Sequence, residues 1–157
     1  MALEQFASLG EIVASLAVVA SLIYVAKQLR QNSDMMRAAA SSARVQRDAD
    51  LGFRISDSQE FTEIWLKGGA SFDSLGEVEQ TRLLFFSRTA ILHWHNMFRL
   101  RSEKLLSDAD WNELIWLIER IGMRQDTLAA WKVFKDSFDE SFQEFLENHF
   151  AKAVPLS

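Results

Sequence analysis

The segment Ile12–Ala26, IVASLAVVASLIYVA, contains fifteen consecutive residues without a charge. As an α-helix it would cover about 22 Å, less than the roughly 30 Å hydrocarbon core of a bilayer. Extension back to Gln5 lengthens the segment to 22 residues, interrupted by the single charge of Glu11. A helix of this length can span a bilayer if Glu11 is neutral, paired or close to the interface. The segment therefore predicts a membrane-inserted helix.

Two other interpretations of this segment stay open, although the flanking charges favour insertion. A cleaved signal peptide needs a positively charged N-terminal region, whereas the charge that precedes Glu11 is that of Glu4. A buried core helix of a soluble domain is also compatible with fifteen apolar residues. Lys27, Arg30 and Arg37 follow the apolar run, and positive residues stay on the cytoplasmic side. They predict an external N-terminus, a cytoplasmic C-terminal domain and contacts of these three cations with lipid headgroups.

Small residues follow one face of the predicted helix at intervals of three and four. This spacing keeps them on the same side, where small side chains let two backbones approach closely in lipid. A chance alignment of common residues is the alternative. The pattern predicts that the helix packs against another copy or against a membrane-protein partner. The small-residue stripe consists of Ala7, Gly10, Ala14, Ala17 and Ser21.

Glu11 is the charged residue inside the extended segment. A carboxylate at membrane depth is costly and indicates a functional or assembly role. Alternatively, Glu11 marks the outer interface and the span begins at Ile12, with local thinning of the bilayer. The sequence leaves both interpretations open.

The remainder of the chain predicts helices throughout. The first helix either continues to about Ile55, or a new helix begins with Asn32 or Ser33 as its cap. Neither Gly nor Pro occurs between Gly10 and Gly52, which favours one long helix. Glycines at Gly68-Gly69 and Gly122 are expected to end two later helices. Capping-box spacing predicts helix starts at Asp57, Ser74, Ser107 and Ser137, and Asp126 or Thr127 would start one more.

The predicted fold class is all-α. A sustained period-two alternation is absent from the sequence, and a single proline with six glycines argues against turn-rich β folds. The long N-terminal hydrophobic helix is expected to continue into a bundle of about five further helices. We expect residues 1–32 to form a membrane and assembly helix and residues 33–157 to form a cytoplasmic helical domain.

The N-terminal residues resemble the opening of an uncharacterised family of small bacterial proteins. The resemblance rests on LGEI at 9–12, AVVASLIY at 17–24 and QLRQN at 28–32. The resemblance covers the first 32 residues well, and the rest of the chain is similar only in its general pattern of residues. It implies a bacterial inner-membrane location and a helical C-terminal domain. It implies no reaction and no catalytic residues.

Reactive side chains form no recognisable catalytic or metal-binding pattern. Cysteine is absent, and no Ser lies in a G-x-S-x-G elbow. His93 and His95 lie two residues apart, so their side chains point away from each other on a helix. None of the three histidines follows a Glu-x-x spacing, which excludes the four-helix di-metal pattern. We therefore expect no enzyme, no metal and no cofactor, and the net charge of −5 argues against nucleic-acid binding.

Charges in the remaining helices are expected to be solvated. Arg30, Arg37 and Arg44 are spaced by seven, as are Arg47 and Arg54. They form a basic stripe that could meet lipid headgroups or an acidic partner, although an ordinary solvated face is the simpler interpretation. The carboxylates Asp108, Asp110 and Glu113 surround a helix start, where the helix dipole stabilises negative charge.

Aromatic residues are more numerous than a domain of this size needs, with twelve Phe and five Trp. Most are expected in the core, and a surplus could line an apolar pocket or contact the membrane surface. Two functions follow. The first is a non-enzymatic, membrane-anchored protein, either self-assembling or an accessory or scaffold subunit, that packs through its N-terminal helix. The alternative is a helical sensor or carrier that binds a lipid or other apolar ligand in an aromatic-lined pocket.

Overall fold

The structure is a computed structural model that describes the backbone of residues 2–152. Side chains are described for residues 10, 11 and 13–152. Every regular element in this part of the chain is helical, so the predicted all-α fold class is confirmed. Contacts divide the chain into two compact units, residues 1–39 and residues 40–157.

The first helix, α1, extends over Ala2–Ser56 without interruption, as predicted from the absence of Gly and Pro. Within residues 2–152, five further α-helices follow. One 3₁₀ turn, Phe72–Ser74, precedes α3, and another, Lys135–Ser137, precedes α6. The five are α2 (Gln59–Ala70), α3 (Glu77–Ser102), α4 (Asp108–Ile121), α5 (Gln125–Phe134) and α6 (Glu140–Phe150).

The number of helix starts agrees with the capping predictions, but several of the starts lie at other residues than predicted. The Ser107 side chain accepts the Asp110 N–H at 3.1 Å and begins α4 as predicted. Helix α3 begins after Gly76 rather than Ser74, because the Glu79 carboxylate accepts the Gly76 N–H at 2.9 Å. Helix α6 begins after Asp139 rather than Ser137, because Asp139 Oδ1 accepts the Phe142 N–H at 3.0 Å. In both cases the N-cap lies two residues beyond the predicted serine: Asp139 caps α6 with its own carboxylate, whereas the N-cap Gly76 of α3 is bound by Glu79 from the first turn.

Helix α2 also departs from the prediction at both ends. Ser58, rather than Asp57, accepts the Phe61 N–H at 3.3 Å. The helix continues through Gly68 and Gly69 to Ala70, so the predicted stop at these glycines is wrong. Neither glycine adopts a positive φ. A Cβ atom on Gly68 would overlap the Leu83 side chain, so glycine serves close packing of α2 against α3 here.

Aromatic side chains contribute strongly to the core of the second unit, where six of the seventeen buried apolar residues in the described part of the chain are Phe or Trp. Trp94, Phe142 and Leu146 are at most 1% exposed. Phe98, Phe142 and Phe145 form a cluster with ring centroids 4.9–6.0 Å apart, within the range of favourable aromatic pairs. Phe85 and Trp116 lie at the surface, 58% and 60% exposed, and belong to the aromatic surplus outside the core.

Candidate functional site

A cavity of about 330 Å³ lies within the second unit. Its walls come from the end of α1 and from α2, α3 and α4. Tryptophans contribute from three helices, and aliphatic side chains fill the positions between them. The apolar lining consists of Leu51, Gly52, Ile55, Trp65, Phe86, Ala90, Trp94, Leu114, Trp116, Leu117 and Ile121.

The four helices supply these walls because their buried and half-buried faces converge. Ile91 and Trp94 of α3 and Ile118 of α4 are at most 1% exposed and belong to the main core cluster. Leu51 of α1 packs against the same cluster. The cavity therefore adjoins the core, and its volume lies within the range of about 300–1,000 Å³ typical of small-molecule pockets.

Four charged or titratable side chains meet at one side of the cavity, which we term the Arg44 network: Arg44, Asp48, Asp110 and Glu113. Arg44 Nη1 contacts Asp48 Oδ2 at 3.1 Å. Arg44 Nη2 contacts Asp110 Oδ1 at 3.0 Å and Glu113 Oε2 at 2.9 Å. The Arg44 side chain is 11% exposed. Its guanidinium therefore joins α1 to the first turn of α4.

The carboxylates determine the ionisation of Arg44. Burial alone would lower the pKa of Arg44, but Glu113, Asp110 and Asp48 together outweigh it and raise the pKa above its usual value. Arg44 is thus a fixed positive charge. The interpretation of the basic stripe as a solvated face is wrong for this residue, and Asp110 and Glu113 act as partners of Arg44 as well as helix-start charges.

His93 extends this cluster of charges. Its Nε2 lies 3.1 Å from Asp48 Oδ1, and the imidazole is 6% exposed. His95 lies elsewhere, with Nε2 2.6 Å from Asp139 Oδ2. The two histidines contact different carboxylates, as expected from their spacing. Within the described residues, no group of three His, Cys, Asp or Glu side chains is arranged to hold a metal ion.

A second, open depression of about 790 Å³ lies beside the cavity, and both polar and apolar side chains line it. Arg47, Arg54 and Arg82 line it together with phenylalanines. Arg82 contacts Glu60 at 2.5 Å. Arg47 and Arg54 are exposed, as the interpretation of a solvated face predicts. We regard this depression as ordinary polar surface.

A buried ion pair lies at the start of α5, and a hydrogen bond connects it to α3. Asp126 is 1% exposed and accepts the Ser87 hydroxyl at 3.0 Å. Arg124 Nε lies 3.1 Å from Asp126 Oδ1, and the guanidinium lies 3.7 Å from the centroid of the Trp65 ring. Burial lowers the pKa of Arg124, and Asp126 counteracts this effect. The sequence predicted Asp126 only as a helix start.

The predicted site residues of α1 lie in the first unit. Gly10, Glu11, Ala14, Ala17 and Ser21 are exposed. The side chain of Ala7 lies outside the described residues. The Ser21 hydroxyl donates to the Ala17 carbonyl at 2.8 Å, which satisfies it within the helix. What packs against the small-residue stripe stays a prediction.

The three predicted headgroup-binding cations follow on the same helix. Lys27 and Arg30 are exposed. Arg37 Nη1 contacts Asp34 Oδ1 at 3.2 Å, and both side chains are more than half exposed. Such an exposed pair is worth little in water, so Arg37 can exchange this partner for a lipid phosphate. Binding to headgroups stays a prediction.

An apolar window of eighteen residues in the first helix is long enough to cross a membrane, and none of the window is buried. Leu16, Leu22 and Ile23 are 64–66% exposed. Comparison of the chain with protein-family models, curated proteins and solved structures gives no match. The exposed apolar helix and the aromatic cavity are the two features of the chain that indicate a function.

Proposed function

We propose that this protein is a non-enzymatic, membrane-anchored helical protein of the bacterial inner membrane. The observation that carries the proposal is the exposed apolar window of α1. Burial of one Leu or Ile side chain is worth about 1.5–3 kcal/mol, and α1 exposes many of them. A core helix of a soluble domain would be buried, whereas α1 needs a bilayer or a partner to cover it.

The charge distribution supports one orientation in the membrane. Lys27, Arg30 and Arg37 follow the apolar window, and the C-terminal unit comes after them. The positive-inside rule then gives a cytoplasmic C-terminal unit and an external N-terminus. The polar side chains inside the window are satisfied locally, since the Ser15 hydroxyl donates to the Glu11 carbonyl at 2.8 Å. Local satisfaction makes such residues tolerable in lipid.

Self-assembly, or attachment as an accessory subunit, would occur through the small-residue stripe. Ala17→Leu and Gly10→Leu each place a bulky side chain on that face. Ala26→Leu is a matched control, because residue 26 lies about 180° around the helix from residue 17. We expect the first two changes to reduce the mass of the protein in detergent to that of a monomer, and the control to leave the assembly intact.

Mass measurement by light scattering in detergent checks this proposal, and intact mass spectrometry checks whether the N-terminal helix is retained. A monomer for the unaltered chain and all three variants would contradict assembly. A mature protein that lacks residues 1–26 would contradict anchoring by α1.

The aromatic cavity favours a second candidate function, the binding of an apolar ligand by the C-terminal unit. Trp65, Trp94 and Trp116 reach it from three different helices. Apolar walls with few polar groups are typical of ligand pockets. Native mass spectrometry after mild extraction tests this function. We expect a co-purified small molecule that Gly52→Phe removes, because the side chain would enter the open space beside Gly52.

A further inference from the structure

The charges that face the cavity are unbalanced. Of the Arg44 network, Arg44, Asp48 and Glu113 line the cavity, and Asp110 holds Arg44 from the adjoining turn of α4. One positive charge is thus surrounded by three carboxylates. His93 also lines the cavity, and its imidazole contacts Asp48. The charges of Arg44, Asp48 and Glu113, which line the cavity, sum to −1, and Asp110 adds a further negative charge beside Arg44.

Arg44 is poorly placed to bind an anionic ligand. Both of its terminal nitrogens already contact carboxylates. Its Nε atom has no hydrogen-bond partner within the described residues, and less than 1 Å² of it is accessible. A ligand oxygen inside the cavity therefore cannot reach Nε. An incoming anion would meet the carboxylates of Asp48 and Glu113 before it met an available donor.

Glu113 is the carboxylate most available to a ligand. Its side chain is 62% exposed, whereas Asp110 is 14% exposed. It borders the cavity together with Trp116, whose ring is largely exposed. The faces of tryptophan rings attract cations. Trp65 and Trp116 already have the guanidinium groups of Arg124 and Arg120 over their rings, at 3.7 and 5.9 Å from the ring centroids.

We propose that the cavity binds a lipophilic cation, in which an apolar chain or ring enters between the tryptophans and an ammonium group lies beside Glu113 and Asp48. This inference rests on the second candidate function above and adds the charge of the ligand. An apolar wall alone would accept neutral and anionic amphiphiles equally. The excess of carboxylates selects the cation, because an ammonium group reduces their mutual repulsion.

Three probes with the same eight-carbon chain test the charge preference at pH 7: octylammonium, 1-octanol and octanoate. The full chain is placed in phosphatidylcholine nanodiscs, and binding is followed by tryptophan fluorescence, with empty discs as the blank. An ion pair at a partly exposed site is worth about 1 kcal/mol, which corresponds to roughly five-fold in affinity. We expect octylammonium to bind about five-fold more tightly than octanol, and octanoate to bind most weakly.

Two substitutions assign the effect to named groups. Glu113→Gln should lower the affinity for octylammonium to nearly that for octanol, and it should leave the affinity for octanol unchanged. Glu119 lies on the same helix but does not line the cavity. Glu119→Gln should therefore leave the affinities for all three probes unchanged. Gly52→Phe should abolish the binding of all three probes.

The outcomes separate this inference from the function on which it rests. Equal or tighter binding of octanol or octanoate, still abolished by Gly52→Phe, would overturn the cation preference and leave the ligand cavity in place. A preference for octylammonium that Glu113→Gln leaves intact would also overturn the inference. Absence of any binding sensitive to Gly52→Phe would contradict both the inference and the cavity function.

Discussion

Asp126 is the residue whose removal should be most costly. It is 1% exposed and balances the buried Arg124. Loss of one partner leaves an uncompensated buried charge, so we expect Asp126→Ala to lower the free energy of unfolding by about 3 kcal/mol. All five tryptophans lie between residues 65 and 131, so their fluorescence during denaturation in detergent reports the second unit.

Asp108 provides the matched control for this prediction. It also lies in the first turn of its helix, but its side chain is 84% exposed beside Arg101. Asp108→Ala should cost less than about 1 kcal/mol. Equal stability of the Asp126 and Asp108 variants would contradict the assigned role of the buried pair.

Asp139 gives the fold a dependence on acidic pH. Its hydrogen bond from the Ser141 hydroxyl, with those from the Phe142 N–H and His95, lowers the pKa of Asp139 from 3.8 to about 2. The ionised form therefore stabilises the fold above about pH 4, and this contribution is lost as the pH falls towards 2. Asp139→Asn should lower stability near neutral pH, and the difference from the unaltered chain should shrink between pH 4 and 2.

Thermal unfolding at a series of pH values, followed by tryptophan fluorescence, measures this difference. Asp136→Asn serves as the control, because it removes an exposed carboxylate from the preceding 3₁₀ turn. The difference in stability between this variant and the unaltered chain should stay constant between pH 4 and 2. If the stability difference for Asp139→Asn were also independent of pH, ionisation of Asp139 would not contribute to the stability of the fold.

Single residues also show where sequence reasoning ends. The Ser107 cap could be predicted, because the Asp110 N–H that it accepts is three residues away. The partners of Arg44 lie up to 69 positions away in sequence, at Asp110 and Glu113. Local spacing carries no information about such pairs. The contacts of Arg44 with α4 and the hydrogen bond between Ser87 and Asp126 could therefore be found only from the fold.

At the level of elements, two glycines in helices should respond to alanine with opposite sign. Gly52 lies inside α1 with open space where a Cβ would go. Gly52→Ala should stabilise the second unit by about 0.5–1 kcal/mol, since glycine costs that much in a helix interior. Gly68→Ala would press against the buried Leu83 side chain, and it should destabilise by about 1–3 kcal/mol.

Chemical denaturation of both variants measures the two effects with the same probe. Destabilisation by Gly52→Ala would mean that the packing around the end of α1 is tighter than described. A neutral Gly68→Ala would mean that α2 and α3 can separate without cost.

The number and order of helices were predictable from the sequence, whereas their ends were displaced by one to two residues. Local propensity determined that α1 continues from Ala2 to Ser56. Competing caps determined where α3 and α6 begin, because Glu79 and Asp139 offer carboxylates in place of the predicted serine hydroxyls. Gly68 escaped prediction for a different reason, since its close contact with Leu83 depends on tertiary packing.

At the level of the whole molecule, sequence and structure agree on one exposed apolar helix and one helical unit with an aromatic core. The sequence indicated the helix because fifteen uncharged residues follow one another. It indicated a possible aromatic pocket but could not place the walls, which converge from four helices. The central claim is that the first half of α1 lies in a bilayer.

The absence of native cysteine makes single-cysteine labelling the most direct measurement of that claim. Ser15→Cys, Ser21→Cys and Ser42→Cys place a thiol at three exposed positions of α1. Without a membrane all three would react equally with a polar maleimide. In native membranes we predict that Ser42→Cys is labelled rapidly, while the other two stay protected until detergent denaturation. Equal labelling of all three variants in intact membranes would contradict membrane insertion.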